Sequence, residues 1–303
     1  MSAITGIPLH YVTQFDTNWQ HLVQQKISKL REYVVVDRVQ GKEKSFSQMG
    51  PIEMQRVTQR AGETRITDTP LGKRWLRPYP HDLATLFDEW DQEFLGNIGL
   101  PTSETVAAHV AAYNRACERA IVEAALGTAY TGEIGVTPVT LPNTQEVGVG
   151  FVETGSNVNS GLTIGKLRQA KYILDNNEVD DEEPRVMAVC AKQLQDLLRT
   201  TEVTSADYNT VRALVEGEVD TFMGFKFKRV SRNILPLNVG TDVRTCVAWA
   251  RSGVKLSDAG RTTHMDVRSD KSHALQIRTV AAIGATRTEE EKVVAIYCDE
   301  SPA

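Results

Sequence analysis

The residues with the strongest chemical bias in this chain are its charges, and they are segregated along the sequence. From Asp37 to Pro78, nine basic residues (Arg38, Lys42, Lys44, Arg56, Arg60, Arg65, Lys73, Arg74 and Arg77) stand against five acids (Asp37, Glu43, Glu53, Glu63 and Asp68). An acidic stretch follows at once: Asp82, Asp88, Glu89, Asp91 and Glu93, with no Lys or Arg between His81 and Phe94. A basic segment set directly before an acidic one suits electrostatic docking, in which complementary charge fixes partner and register.

Covalent and redox chemistry find few residues to carry them. The Gly148-Val-Gly150 stretch has neither the spacing nor the Lys-Ser/Thr of a phosphate-binding loop, and there is no dinucleotide fingerprint. No Gly-x-Ser-x-Gly elbow occurs. The six histidines (His10, His21, His81, His109, His264 and His273) lack the spacing of zinc ligands, and His264/Asp266 and Asp270/His273 have no nucleophile beside them. Asp180 to Glu183 lacks the alternating ligands and turn glycine of a calcium loop, so it reads as a solvated tip. Glu289 to Glu291, beside Arg287 and Lys292, reads as a solvated turn, or else as a contact with a neighbour. No cofactor is expected, and a hydrolase built on the α/β segment would lack residues to staff its pocket.

Bulk composition is that of a folded protein. Apolar residues make up 41% and charged residues 24% of 303 positions, which excludes wholesale disorder. No apolar run approaches the length of a membrane span. Met1 to Leu9 lacks the basic and apolar regions of a signal peptide, so folding is expected in a cytoplasm with Cys117, Cys190, Cys246 and Cys298 reduced. The net charge of -5 suits a container wall better than a tight grip on nucleic acid.

The elements that position these charges read in six segments. Phe15, Trp19, Leu22, Val23, Ile27 and Leu30 recur at helical spacing within residues 1–32. Residues 33–80 open on a strand-like run, Tyr33 to Val36, and are then broken by Gly41, Gly50-Pro51, Gly62, Pro70, Gly72, Pro78 and Pro80. Any strand here is polar on both faces and buries too little apolar area to offset its own ordering entropy. The segment is therefore a loose loop or a hairpin ordered by partners. A helix is predicted from Pro101 and Thr102 or Ser103 to Gly127, a rod of roughly 36 Å. Its apolar stripe is Val106, Val110, Tyr113, Cys117, Ile121 and Ala124, with Glu104, Arg115, Glu118 and Arg119 opposite.

Thr131 to Ser160 reads as short strands and turns. Gly161 to Gly260 reads as α/β: helices capped by Thr163 and Ser205, and strands at Arg185 to Val189, Phe225 to Val230 and Thr245 to Ala250. Strands return at Leu275 to Ala285 and Lys292 to Cys298; the second is apolar on both faces and should be central. If it pairs near the long helix, the inserted α/β segment separates two halves of one domain.

This order, with Gly161-Leu-Thr-Ile-Gly-Lys-Leu-Arg-Gln-Ala, Thr204-Ser-Ala-Asp-Tyr-Asn-Thr-Val-Arg-Ala-Leu-Val-Glu-Gly-Glu, Phe222-Met-Gly-Phe-Lys-Phe, Ile283-Gly-Ala-Thr-Arg and Glu289-Glu-Glu-Lys-Val-Val-Ala-Ile, resembles the major capsid proteins of tailed bacteriophages. The resemblance implies the α+β Hong Kong 97-like (Johnson) fold. Its parts would be an N-terminal arm (1–32), an extended E-loop (33–80), a peripheral domain with a spine helix (81–160 and 262–303) and an axial domain (161–261). It implies no enzyme, but a subunit that self-assembles as pentamers and hexamers into an icosahedral head. That head would lie in the virion and be assembled in the host cytoplasm.

The partners implied are other copies, a portal protein, packaged double-stranded DNA on the inner face and a decoration or cement protein. The chain leaves no room for an N-terminal scaffolding region, which implies a separate scaffolding protein. On this reading Arg56, Arg60, Arg65 and Arg74 of the arm meet acids of a neighbour, with Asp88, Glu89, Asp91 and Glu93 as candidates. Some shells of this kind join an arm Lys to an Asn of another subunit; Lys42, Lys44, Lys73, Asn233 and Asn238 supply the groups, but nothing marks such a triad. An encapsulin-like compartment shares the fold and is the alternative.

Overall fold

The computed structural model describes residues 25–56, 58, 60, 66–88, 102–153, 155, 157–199 and 221–301. Among these there are three sheets, and the first two contribute to one continuous apolar core. The first has the order β1-β13-β14-β4, from Val35–Asp37, Val254–Arg268, Ala274–Arg287 and Tyr79–Phe87. The second runs β7-β15-β12-β8-β10-β9, from Glu146–Val147, Val293–Asp299, Val243–Ala250, Arg185–Val189, Phe225–Arg229 and Thr221–Phe222, with β11 (Leu237–Asn238) on β12. The third, β2-β3-β5-β6, joins Lys44–Met49, Leu71–Leu76, Ala129–Thr131 and Thr137–Val139.

The long helix forms as its pattern predicts: α1 spans Thr102–Leu126 and packs on β14 and β13. Gly127 ends it, donating its N–H to the Glu123 carbonyl at 2.7 Å. Tyr113, Cys117 and Ile121 of the expected stripe are buried. Glu118, expected on the polar face, is fully buried as well, because residues 25–30 lie across that side of the helix. Helix α2 (Ile164–Asn176) starts where expected, with the Lys166 N–H donating to the Thr163 hydroxyl at 3.3 Å. Helix α3 covers Ala191–Arg199.

The strands at Arg185–Val189, Phe225–Arg229 and Val243–Ala250 match their expected places. Three sequence expectations change. Residues 25–30 carry no helix, although Ile27 and Leu30 continue the helical spacing; only a 3-10 turn, Arg31–Tyr33, follows. The remainder of that N-terminal helix, and the helix capped by Ser205, lie outside the described residues.

The expected boundary between residues 261 and 262 falls inside β13, a strand buried or half-buried over its first five residues and exposed beyond them up to half-buried Arg268. Finally, β15 pairs with β12 and β7 in the α/β sheet rather than beside the long helix. Its apolar residues on both faces need cover on both sides, and α2 packs against it there. Trp249 of β12 is fully buried, and its indole N–H donates to the Tyr33 carbonyl at 2.9 Å, tying the N-terminal segment to the same core.

Candidate functional site

The basic segment forms a hairpin. β2 and β3 pair antiparallel from Lys44↔Leu76 to Met49↔Leu71, and the Gly50 N–H closes the ladder on the Pro70 carbonyl at 2.8 Å. Beyond that bond the described residues between Pro51 and Pro70 contain no strand. What they show to solvent is partly apolar: Ile52, Met54 and Ile66 are exposed, with Met49 and Leu71 at the last rung, and Met54 is 103% exposed. Apolar side chains held out on a narrow hairpin have no core of their own to join.

The base of the hairpin is anchored to the body by charge. Arg74 is buried and pairs with Glu290. Glu290 also accepts from Arg287 Nε at 3.3 Å. Arg287 is fully buried and donates to the carbonyls of Ala125 (3.0 Å), Gly127 (2.7 Å) and Val139 (3.0 Å). A guanidinium thus satisfies the carbonyl end of α1, where a cation is favoured. Burial pulls the Arg287 group down from its usual range, and Glu290 opposes that pull. Gln48 of β2 adds a bond from Nε2 to the Thr288 carbonyl at 2.8 Å. Trp75 and Arg77 donate to the carbonyls of Gly132 and Gly135, each at 2.8 Å.

Of the four arm arginines expected to meet a neighbour, Arg74 is therefore committed inside its own chain. Its position at the base of β3, facing the turn before β15, leaves it little solvent surface. Arg56 and Arg60 are exposed near the end of the hairpin. Arg65 lies outside the described residues, as do Glu89, Asp91 and Glu93; Asp88 is exposed after β4. The sequence reading of Glu289 to Glu291 as a solvated turn missed the part Glu290 plays.

Other buried polar groups also escaped that reading. Glu118 accepts from the Lys29 N–H and from Gln25, which fixes the N-terminal segment to the helix; burial pushes its carboxyl up, and these bonds only partly compensate. His109 lies between Thr85 (2.9 Å) and Thr279 (3.0 Å), joining α1 to β4 and β14, and burial holds its pKa down. Lys166 donates to the carbonyls of Ser160, Gly161 and Tyr297 at 2.7 to 3.0 Å. Glu300 accepts from Arg244 and Arg232 at 2.6 Å each and from Gln193 at 2.7 Å. Burial disfavours its charge, but those donors prevail and hold the carboxyl at about 2.

None of these groups assembles reactive chemistry. Among the described residues no cluster of three or more His, Cys, Asp or Glu side chains is placed to hold a metal ion. In the acidic run, Asp181 pairs with Arg185 and Glu183 accepts from the Ser252 hydroxyl, so both serve local structure. All four cysteines are buried and free.

The fold as a whole is shared with solved phage capsids. The capsid protein of cyanophage P-SCSP1u is 14% identical over 96% of this chain and 94% of that one, with a TM-score of 0.69. That of Ralstonia phage GP4 is 9% identical over 100% of both chains, at 0.70. That of Helicobacter pylori bacteriophage KHP30 is 10% identical over 98% of both, at 0.71. At such identities the likeness is one of fold. No curated protein matches the chain in sequence. The family described as Phage capsid protein matches residues 7–300. Because that match runs nearly end to end, the chain belongs to the phage capsid protein family, and its role is structural rather than enzymatic.

Proposed function

We propose that this protein is the major subunit of the icosahedral head of a tailed double-stranded DNA phage, assembling as pentamers and hexamers. The observation that carries the reading is the hairpin itself: its base is fixed by Arg74 and Glu290, while its far part exposes Ile52, Met54, Ile66, Arg56 and Arg60. A rigid base with an apolar and basic far end fits capture by another copy of the chain, repeated around closed symmetry. Arg56, Arg60 and Arg65 meet acids of that neighbour, with Asp88, Glu89, Asp91 and Glu93 as the candidate set.

Such a head implies a portal protein, a separate scaffolding protein, packaged duplex DNA and, on some shells, a decoration protein. Its place is the virion, after assembly in the host cytoplasm. Electron microscopy of the purified protein in negative stain tests the reading. Closed polyhedra or capsomer rings are expected; a protein that stays monomeric at assembly concentrations overturns it.

A further inference from the structure

Two apolar surfaces lie at opposite ends of the arm hairpin. The far end exposes Met49, Ile52, Met54, Ile66 and Leu71. At the base, where β3 runs into β4 against α1, a hollow of about 350 Å³ opens between Trp75, Tyr79, Tyr130, Ala120 and Ala124. Tyr79 and Tyr130 are exposed there, and the two alanines of α1 are half-buried and leave the floor open. The β5–β6 turn, whose Gly135 lies against the Trp75 ring, adds exposed Ile134 and Val136.

These surfaces do not meet within one chain. The ladder from Lys44↔Leu76 to Met49↔Leu71 holds them about 17 Å apart, and Met54 beyond it is fully exposed rather than folded back. A second copy presents both. Their charges also match. Arg56, two residues after Met54, is exposed, and Glu123 stands exposed at the rim of the hollow. Arg77 lines the hollow too, but its charge is offset by Glu43 at 2.8 Å.

We propose that Met54 of one copy inserts into the aromatic hollow at the arm base of a second copy, with Arg56 beside Glu123 at its rim. This rests on the capsid reading and adds to it a receptor for the far end of the arm. A flexible thioether fills an irregular hollow well and gains from contact with ring edges. The contact joins unlike surfaces, so each copy gives an arm and receives one. Such a contact is heterologous, and it closes into a ring when the rotation between copies permits.

The test is disulfide capture between full-length chains under assembly conditions. The native cysteines are buried, so introduced thiols are the ones that copper phenanthroline oxidises. A mixture of M54C and A124C chains is expected to give a linked dimer on a non-reducing gel. The yield should be at least tenfold above that from M54C mixed with Y172C, an exposed control on α2. The double variant M54C/A124C should run as a ladder. No linked dimer, or equal yields with Y172C, overturns the proposal. A second measurement uses particle yield. M54D should lose at least tenfold and M54L should match the parent, with melting temperatures unchanged because Met54 is fully exposed in its own chain. Full yield from M54D also overturns it. Negative-stain images of the parent are read separately. Parent shells without the M54C–A124C link reject the receptor alone, and a parent that forms no shells rejects the capsid reading.

Discussion

Arg74, on the second strand of the arm, and Glu290, in the turn before the last strand, form an ion pair across 216 residues of sequence. Both side chains are largely buried, at 8% and 14% exposure, so water screens the pair only weakly. Removing Glu290 leaves the Arg74 charge uncompensated, which typically costs about 3 kcal/mol or more, whereas removing Arg74 leaves Glu290 its contact with Arg287 and should cost less. Arg74→Ala and Glu290→Ala are each expected to lower the urea midpoint. Faster amide exchange should be confined first to Lys44–Met49 and Leu71–Leu76. The pair of changes together should cost less than the sum of the two, because one contact is removed twice. Additive losses would show that the two residues act independently.

Reversing the exposed arm charges should separate assembly from folding. Arg56 and Arg60 are solvent-exposed, so Arg56→Glu with Arg60→Glu should leave the melting temperature of the unassembled subunit within about a degree. Like charges brought together at a subunit contact cost several kcal/mol, and a shell multiplies that cost over every copy. Particle yield, read by sedimentation, is expected to fall at least tenfold. Added salt should weaken parent assembly if charge pairing drives it. Intact particles from the double variant would remove these arginines from the contact.

Two buried glutamates give stability opposite dependences on pH. Glu300, held at about 2 against an ordinary 4.5, releases its proton more easily folded than unfolded. Its contribution is present above pH 4.5 and is lost as pH falls from 4.5 toward 2, up to about 3 kcal/mol. Glu118 is raised by burial, so the folded chain holds its proton more tightly than the unfolded chain. Its contribution is present below 4.5 and is lost as pH climbs through its folded value. Urea midpoints across pH 3 to 7 should show Glu300→Gln weakest, relative to the parent, at pH 7. Glu118→Gln should be relatively strongest there. Parallel curves for all three proteins would reject both assignments.

Much of this was legible in periodicity. The long helix, its glycine stop, the Thr163 cap and the strand through Val293 to Cys298 all follow from spacing and turn chemistry. The hairpin was legible as a contradiction, a long segment too polar to build a core. β13 was not legible, because its outer two thirds are largely exposed and carry no burial alternation; pairing with β1 at one end and with β14 on both sides of a register shift between Asp258 and Arg261 holds it in place. The fate of Arg74 was equally hidden. Nothing local distinguishes it from Arg56; only the fold brings Glu290 to it. Glu118 looked solvated because the segment that covers it lies 89 residues away in sequence.

The strand β14 passes close beneath the crossing from β3 to β4, and Gly284 is where they meet. A Cβ added there would lie 2.2 Å from the Arg77 carbonyl oxygen and 2.7 Å from the Pro78 Cα. Both obstacles are backbone, so a rotamer change cannot relieve the clash. The crossing is also pinned from both sides, by β3 in the arm sheet and by Tyr79 pairing with Ile283 at the start of β4. Gly284→Ala should therefore push the arm's exit away from the sheet. Overpacking of this kind typically costs about 1–3 kcal/mol, with the upper end expected where backbone must move. The same substitution at Gly148, where an added Cβ meets nothing within 4 Å, should be nearly neutral and serves as the reference. Thermal melts of the two variants should differ by several degrees, with the Gly284 change the lower. Equal melting temperatures would mean that the crossing yields freely, and that the arm is set by its charge anchor alone.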